Sequence, residues 1–464
     1  MDLDGTLIRT DSLWEALVRV ARTSPRALFG LLVLLRHGKA AFKKAALTLA
    51  AINVESLPYR PELLRFLKRE KSFRRRLVLI TGSDQAFADR VNEHLHLFDE
   101  VIGSRPGVNL IAHNKRDELV KRYGKKGFVY IGDSAHDVPV WEEAAAGIAI
   151  GCSRYRINRL RSKGLRLTGR KDKSSKLLSL LRALRCHHWV KNVLVFLPII
   201  LAGQFANVRD WVLALTAGAA LSIVASGTYL LNDVFDLEAD RRHPTKRFRP
   251  LAAGTMPIPV ALALIPFLLL AGLGLAACVS LDCMMLSAGY VILTVLYSVR
   301  LKRIPILDVT FLAALYCFRV FLGGQATGIA ISRWTMLFCI FTLLSLALLK
   351  RFTELRLAEA TGSTDFGRGY RVDDASILGT FGITSGYLGA LVFALYLMSP
   401  DVSLEYSRPD LLWMVCPLLV YWVSRIWLMA QRGVMHWDPV EFAARDKASY
   451  VVFGLVGVIL LLAR

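Results

Sequence analysis

Acidic residues are the scarce class in this 464-residue chain: 37 Asp and Glu stand against 59 Lys and Arg, leaving a formal charge of +22. Such a surplus suits a nucleic-acid binder only if the basic residues lie on a soluble face, not between apolar runs of membrane length. Cysteine is sparse too. Cys152, Cys186, Cys278, Cys283, Cys317, Cys339 and Cys416 stand singly, without the paired spacing that holds zinc or builds a secreted disulfide framework, and read as reduced and structural. No apolar stretch opens the chain. Asp2, Asp4, Asp11 and Glu15 fall where a cleavable signal would need one, so the amino terminus is expected to stay in the cytoplasm. Nor do matching halves carry a pair of Gly- or Pro-broken segments of the kind that marks a secondary transporter. Hydrophobicity, by contrast, is abundant: 54% of residues are apolar and the mean hydropathy is +0.42, too high for an ordinary soluble protein.

Residues 1–150 alternate short apolar runs, such as Leu77 to Ile80 and Phe128 to Ile131, with amphipathic stretches, the pattern of a soluble α/β domain with a parallel sheet. Residues 151–185 are dense in Arg and Lys and read as a basic linker, either a solvated tether or a segment drawn to anionic headgroups. Residues 186–464 carry nine apolar segments, near 190–205, 211–231, 257–278, 283–299, 306–327, 334–349, 376–398, 411–430 and 448–463, most approaching the ~20 residues that span a bilayer. With the amino terminus inside, loops 233–256, 300–303, 350–375 and 431–447 are cytoplasmic and hold sixteen Lys and Arg, against Arg209, Arg333 and Arg408 opposite. That asymmetry follows the positive-inside rule and accounts for the net charge with a lipid bilayer, and no nucleic acid, as partner.

Ionisable residues beside membrane helices point to function. Asp233, Asp236 and Asp240, at i, i+3 and i+7, would share one helical face at the cytoplasmic end of the second span, preceded by Asn232 and followed by Arg241, Arg242, Lys246, Arg247 and Arg249. Three such carboxylates repel unless a cation sits among them, and hard oxygens suit Mg²⁺ held jointly with substrate phosphates, which the basic run would neutralise. An ordinary solvated loop would need no such spacing. Tyr297, Arg300, Lys302 and Arg303 follow the fourth span, with Asp308 just inside the fifth; simple positive-inside decoration is the bland reading of these cations. Arg319, about three turns into that span, is costly in hydrocarbon and is expected to meet an anion. Lys350, Arg351, Glu354 and Arg356 follow the sixth span, and Asp438, Glu441, Arg445, Asp446 and Lys447 precede the last. These clusters are expected to line one cytoplasmic-side cavity.

From about residue 184 onward the motifs resemble the UbiA superfamily of intramembrane prenyltransferases. Asn232-Asp233-x-x-Asp236-x-x-x-Asp240 is similar to its first metal motif, and Tyr297 to Lys302 to its phosphate-binding element. Where most members carry a second Asp-rich motif, this chain reads Lys350-Arg351-Phe-Thr-Glu354-Leu. That departure resembles the branch that moves phosphoribose from phosphoribosyl diphosphate to a polyprenyl phosphate. The resemblance implies Mg²⁺ on Asp233, Asp236 and Asp240, a diphosphate leaving group, and Lys302, Arg319, Lys350 and Arg351 balancing phosphate charge. It also implies Asn232, Lys246, Arg249, Tyr297, Asp308 and Glu354 as substrate-binding residues. Prenyl transfer from a prenyl diphosphate to an aromatic acceptor stays open beside it, as does oligomerisation.

Asp2-Leu-Asp4-Gly5-Thr6-Leu7 resembles the first motif of the haloacid dehalogenase superfamily over roughly residues 1–150, with Thr81 for the second motif, Lys115 for the third and Gly132-Asp133-x-x-x-Asp137 for the fourth. The resemblance implies a Rossmann-like phosphatase domain in which Asp2 is the nucleophile and Asp4 the general acid/base. Mg²⁺ would be held by Asp2, Asp4, Asp133 and Asp137, with Thr81 and Lys115 on the phosphate. Residues 8–70 would form a helical cap. Only Met1 precedes Asp2, so the central strand that should carry the nucleophile is absent; either the start lies further upstream, the favoured reading, or the domain is damaged. The fold expected is therefore multi-domain, an α/β domain with a helical cap followed by an all-α membrane bundle.

Overall fold

The apolar runs of the N-terminal region become parallel strands. The computed structural model describes residues 1–464 apart from 35, 37, 106–107, 163, 171–175, 362–368, 401, 403–405, 436–438 and 444, and apart from the side chains of 32, 39, 40, 170, 176, 361, 440 and 441. The chain divides into two units, residues 1–184 with 229–265 and residues 185–228 with 266–464.

In the first unit, β1 (Val78–Asp84) pairs with β2 (Glu100–Ser104), and β3 (Val129–Gly132) pairs with β4 (Ala146–Ile150), which pairs with β5 (Leu167–Arg170). All the pairings are parallel. Between β1 and β3 runs the start of the chain: Ile80 N donates to Met1 O at 2.9 Å and Asp2 N donates to Ile131 O at 3.0 Å. Two residues thus take, in outline, the place of the strand found wanting in the sequence, and Asp2 emerges at its end. Leu3, Leu7 and Ile8 follow into the core with Leu79, Phe87 and Val91, all of them almost or wholly sealed from solvent. Helices α1 (Ser12–Thr23), α2 (Pro25–Leu34), α3 (Lys39–Ala50) and α4 (Pro61–Ser72) follow as the expected cap region. Asp11 caps α1 by accepting from Leu13 N at 2.8 Å, which satisfies one of the unpaired amides of the first turn.

The expected basic linker begins instead as folded structure. Residues 154–161 form a helix capped by Ser153, and β5 extends the sheet from β4. Ile157, Leu160 and Leu167 are buried against Tyr130 and Trp141, so a sparse apolar set among many arginines was enough to dock the segment.

Among the described residues seven helices are long and apolar enough to cross a membrane: Val208–Phe235, Ile258–Ala277, Leu281–Arg303, Leu307–Thr327, Arg333–Ala360, Val372–Leu397 and Pro409–Gln431. The other two expected segments fall on shorter apolar helices, Cys186–Ala202 and Lys447–Ala463. Only 17% of the apolar window of Leu281–Arg303 and 22% of that of Ile258–Ala277 is buried within the protein, a hydrophobic exposure that water would not tolerate. The protein is a multi-pass membrane protein. Its interior is close-packed where small residues allow: a Cβ on Gly323 would lie 2.0 Å from Val195 O.

Candidate functional site

In the N-terminal domain, loop 2–7 and the loops after β1 and β3 bring the expected residues to one end of the sheet. Gly5 adopts φ +73°, and a Cβ there would lie 2.3 Å from Asp133 Oδ2, so the turn that carries Asp2 and Asp4 toward Asp133 needs glycine. Carboxylate oxygens of Asp2, Asp133 and Asp137 all come within 4.8 Å of one another. Lys115 Nζ donates to Asp2 Oδ1 at 2.8 Å and lies 3.7 Å from Asp137. Thr6 Oγ1 donates to Asp133 at 3.2 Å, and Tyr130 OH to Asp137 at 2.8 Å.

Burial and the charges of Asp2 and Asp137 push the Asp133 carboxyl up to about 7. Burial likewise raises Asp2, with Asp137 adding to the effect and Lys115 opposing it. Burial also works against the Lys115 ammonium, but Asp2 and Asp137 hold its pKa above the ordinary value. One lysine is therefore not enough positive charge for three carboxylates, and a hard divalent cation fits this oxygen set.

Asp4 is placed differently. It accepts from Ser12 N at 2.8 Å, Ser83 Oγ at 2.6 Å and Lys43 Nζ at 3.2 Å, and it stands outside the three-carboxylate group. Although burial opposes it, Lys43 and these hydrogen bonds hold the Asp4 carboxyl below its usual range. Thr81, fully buried, turns its hydroxyl to accept from Ser83 N at 3.0 Å. Ser83, two residues along the same strand face, is the hydroxyl that reaches Asp4, and period-two alternation from Thr81 was the signal that could have found it. Lys43, Tyr130 and Ser12 were missed as well.

The first unit also holds the membrane-side acidic motif. The helix does not run through it as expected: Val208–Phe235 ends, Asp236 takes φ −94° and ψ 10°, and a new helix spans Leu237–Arg242. Asp233, Asp236 and Asp240 do not come together as a three-ligand group among the described residues. Asp233 and Asp240 are buried and share Arg249, whose Nη1 lies 3.2 Å and 2.6 Å from them. Two carboxylates gathered around one cation form a donor set that also suits a divalent ion held together with substrate phosphates. Asn232, Asp236 and Lys246 lie on the same segment and are half-buried.

In the second unit Asp308 is fully buried and Arg351 is 2% exposed. Arg351 Nε lies 2.5 Å from Asp308 Oδ2, its Nη1 pairs with Glu354, and its Nη2 donates to Tyr297 OH at 3.3 Å. Tyr370 donates to Asp308 and accepts from Ile306 N at 2.8 Å, a contact that no spacing in the sequence revealed. Expected to face phosphate, the Arg351 charge is instead committed to two carboxylates. Arg319 Nε donates to Asn192 Oδ1 at 2.9 Å and Nη2 to Tyr290 OH at 3.0 Å, and the guanidinium stacks 5.4 Å from the Tyr290 and Tyr316 ring centroids. In these contacts neutral oxygens and ring faces stand where an anion was expected. Lys302 is half-buried at the end of Leu281–Arg303, whereas Lys350, expected in the loop after the sixth span, is half-buried within helix Arg333–Ala360, which continues past it. Asp446 pairs with Arg425 at 2.6 Å and caps the last helix through Ser449 N at 2.8 Å, whereas Asp438 and the Glu441 side chain lie outside the described residues.

Comparison with known proteins agrees with both halves. A model of the UbiA prenyltransferase family matches residues 193–438, and one of haloacid dehalogenase-like hydrolases matches residues 1–142. The uncharacterized protein y4nM of Sinorhizobium fredii is 37% identical over 460 residues, covering 98% of this chain and 89% of that one. Nodulation protein NoeC of Azorhizobium caulinodans is 32% identical over 283 residues, 59% of this chain and 89% of NoeC. Decaprenyl-phosphate phosphoribosyltransferase of Corynebacterium glutamicum is 37% identical over 190 residues, 40% of this chain and 57% of that enzyme. The chain belongs to the UbiA prenyltransferase family and carries a haloacid dehalogenase-like hydrolase domain ahead of its membrane helices.

Proposed function

We propose that the membrane domain transfers phosphoribose from phosphoribosyl diphosphate to a polyprenyl phosphate, and that the N-terminal domain then hydrolyses the 5-phosphate of the transferred sugar. The observation that carries the first half is the element Lys350-Arg351-Phe-Thr-Glu354, where the one carboxylate is neutralised by Arg351 and no second acidic motif remains to gather metal. Similarity to relatives named decaprenyl-phosphate phosphoribosyltransferase supports the same reading. The fusion of the two domains motivates the second half.

In this reading the lipid phosphate oxygen bonds to the anomeric carbon as the bond to the diphosphate breaks. No strong base is required, since the attacking phosphate is already ionised. Bound at Asp233, Asp236 and Asp240, Mg²⁺ would supply charge stabilisation to the leaving diphosphate. Lys302 and Lys350 bind phosphate oxygens; Arg351, held by Asp308, which Tyr370 holds in turn, orients Tyr297 and Glu354. At the N-terminal site Asp2 attacks phosphorus as the bond to the sugar's 5-oxygen breaks and Asp4 gives that oxygen a proton; Lys115 steadies the phosphate, and Asp4, then ionised beside Lys43, takes a proton from the water that hydrolyses the aspartyl phosphate. The excess of Lys and Arg in segments 233–256, 300–303, 350–375 and 431–447 supports a plasma-membrane protein with both sites on the cytoplasmic side.

The family description, prenyltransferase, favours prenyl transfer as a second reading, for which we take an aromatic compound as the acceptor. Purified protein given Mg²⁺ and either donor with its acceptor separates the two. Diphosphate release with phosphoribosyl diphosphate and a polyprenyl phosphate, lost in Asp236→Ala, is expected; release only with a prenyl diphosphate overturns the proposal.

A further inference from the structure

The helix is interrupted at Asp236, and Arg249 holds Asp240 and Asp233 from the far side of the motif. A second set of contacts, on helix Leu237–Arg242 itself, comes from the N-terminal domain. Glu15, on α1, accepts from Arg241 Nη2 at 2.5 Å and Nη1 at 3.1 Å, and the two side chains are 6% and 7% exposed. Arg241 Nε donates to Ala252 O at 3.1 Å, so the guanidinium is used along its whole edge. One turn further along α1, Arg19 pairs with Glu238, and Arg22 Nη1 donates to Phe235 O at 2.7 Å. Residues 15, 19 and 22 form one face of a helix, and they hold Phe235, Glu238 and Arg241. These three alternate along the chain with Asp233, Asp236 and Asp240. The acidic motif therefore has a docked set and a chemical set in the same nine residues.

We propose that Glu15 is a positioning residue for the transfer reaction: through its buried pair with Arg241, α1 of the phosphatase domain sets the geometry of the acidic motif that serves the membrane enzyme. The same residue faces the phosphatase loop, since Thr10 Oγ1 donates to Glu15 Oε1 at 2.7 Å and Thr10 O accepts from Gly5 N at 3.0 Å. A bidentate pair this deeply buried holds its partners rigidly, and removing one charge leaves the other uncompensated. The inference rests on the reading that Asp233, Asp236 and Asp240 hold the divalent ion.

The test uses the full-length protein in detergent with Asp137→Asn as background, which disables the N-terminal metal group, and follows Mn²⁺ binding by electron paramagnetic resonance. Bound Mn²⁺ that Asp236→Ala removes is the expected signal; its absence would overturn the reading and this inference together. Glu15→Gln should weaken that Mn²⁺ about tenfold, the scale seen when the support of a metal ligand is lost. It should raise the half-saturating Mg²⁺ for diphosphate release while leaving the KM for the sugar donor unchanged. The paired replacement Glu15→Leu with Arg241→Met, which buries no lone charge, controls for folding and should melt at the wild-type temperature yet keep the weakened metal binding. Unchanged Mn²⁺ affinity in both variants overturns the positioning role alone.

Discussion

In the N-terminal domain one lysine, Lys115, answers Asp2 and Asp137 while Asp133 accepts from Thr6, whereas in the membrane region Asp233 and Asp240 share Arg249, and Asp308 and Glu354 share Arg351. Both regions bury several carboxylates, and the first leaves their repulsion largely uncompensated while the second answers it with guanidinium groups. The difference is chemical. Burial and mutual repulsion drive up the pKa of such a carboxylate, as at Asp133, and a set short of positive charge gains most from a divalent ion. A set already cross-linked by arginine is shaped in advance, and a metal with its substrate phosphates joins or displaces a cation that is there. Membrane insertion favours the second solution, because an unpaired charge near hydrocarbon costs several kcal/mol.

The sharpest break of this comparison is functional separation. Asp236→Ala should cut diphosphate release by about 10³-fold or more and spare phosphate release; Asp2→Asn should do the converse, both followed in one assay mixture. Equal loss of both activities in either variant would merge the two sites. Next in size is Arg351→Met, which strands the fully buried Asp308. Breaking such a pair costs about 3–5 kcal/mol, so the detergent-solubilised protein should melt well below wild type, and adding Asp308→Asn should recover most of the loss.

A smaller effect sharpens the electrostatic half. Folded Asp133 binds its proton more tightly than the unfolded chain does, so its stabilising contribution is full below about pH 4 and is lost as pH rises through about 7. In Mg²⁺-free buffer the melting temperature of the N-terminal domain should therefore fall between about pH 5 and pH 7.5, by ~2–4 °C for each kcal/mol. Mg²⁺ should restore it, and Asp133→Asn should flatten the profile. The smallest change is expected from Lys43→Met: without its cation Asp4 titrates higher, so the acidic limb of the phosphate-release profile should move up in pH, with a rate loss of about tenfold. An unmoved limb would show that Lys43 does not govern Asp4.

Much of this was legible in the residues, for reasons of range. The spaced Asp motifs, the cap region and the apolar spans are local patterns. Asp133 and Asp137 follow the apolar run Phe128 to Ile131 that periodicity marked, while Asp2 and Lys115 were legible only through the motif resemblance, and the four assemble at one site. What escaped depends on contacts distant in sequence. Lys43 meets Asp4 across 39 residues, Tyr370 meets Asp308 across 62, and Asn192 meets Arg319 across 127. Nothing near Tyr370 in the chain announces a partner. The break at Asp236 was hidden because a run of helix-compatible residues crosses it, and the docking of residues 154–170 was hidden by their charge.

The measurement that bears most directly on the account is the mass of the lipid product made from a polyprenyl phosphate and phosphoribosyl diphosphate by three forms of the full-length protein. Wild type should yield the polyprenyl-phosphate pentose without its 5-phosphate, Asp2→Asn the same lipid heavier by one phosphate, and Asp236→Ala no product. A product that keeps its 5-phosphate in wild type after prolonged incubation, or no sugar-bearing lipid at all, would contradict the sequence of transfer and hydrolysis proposed for the two domains.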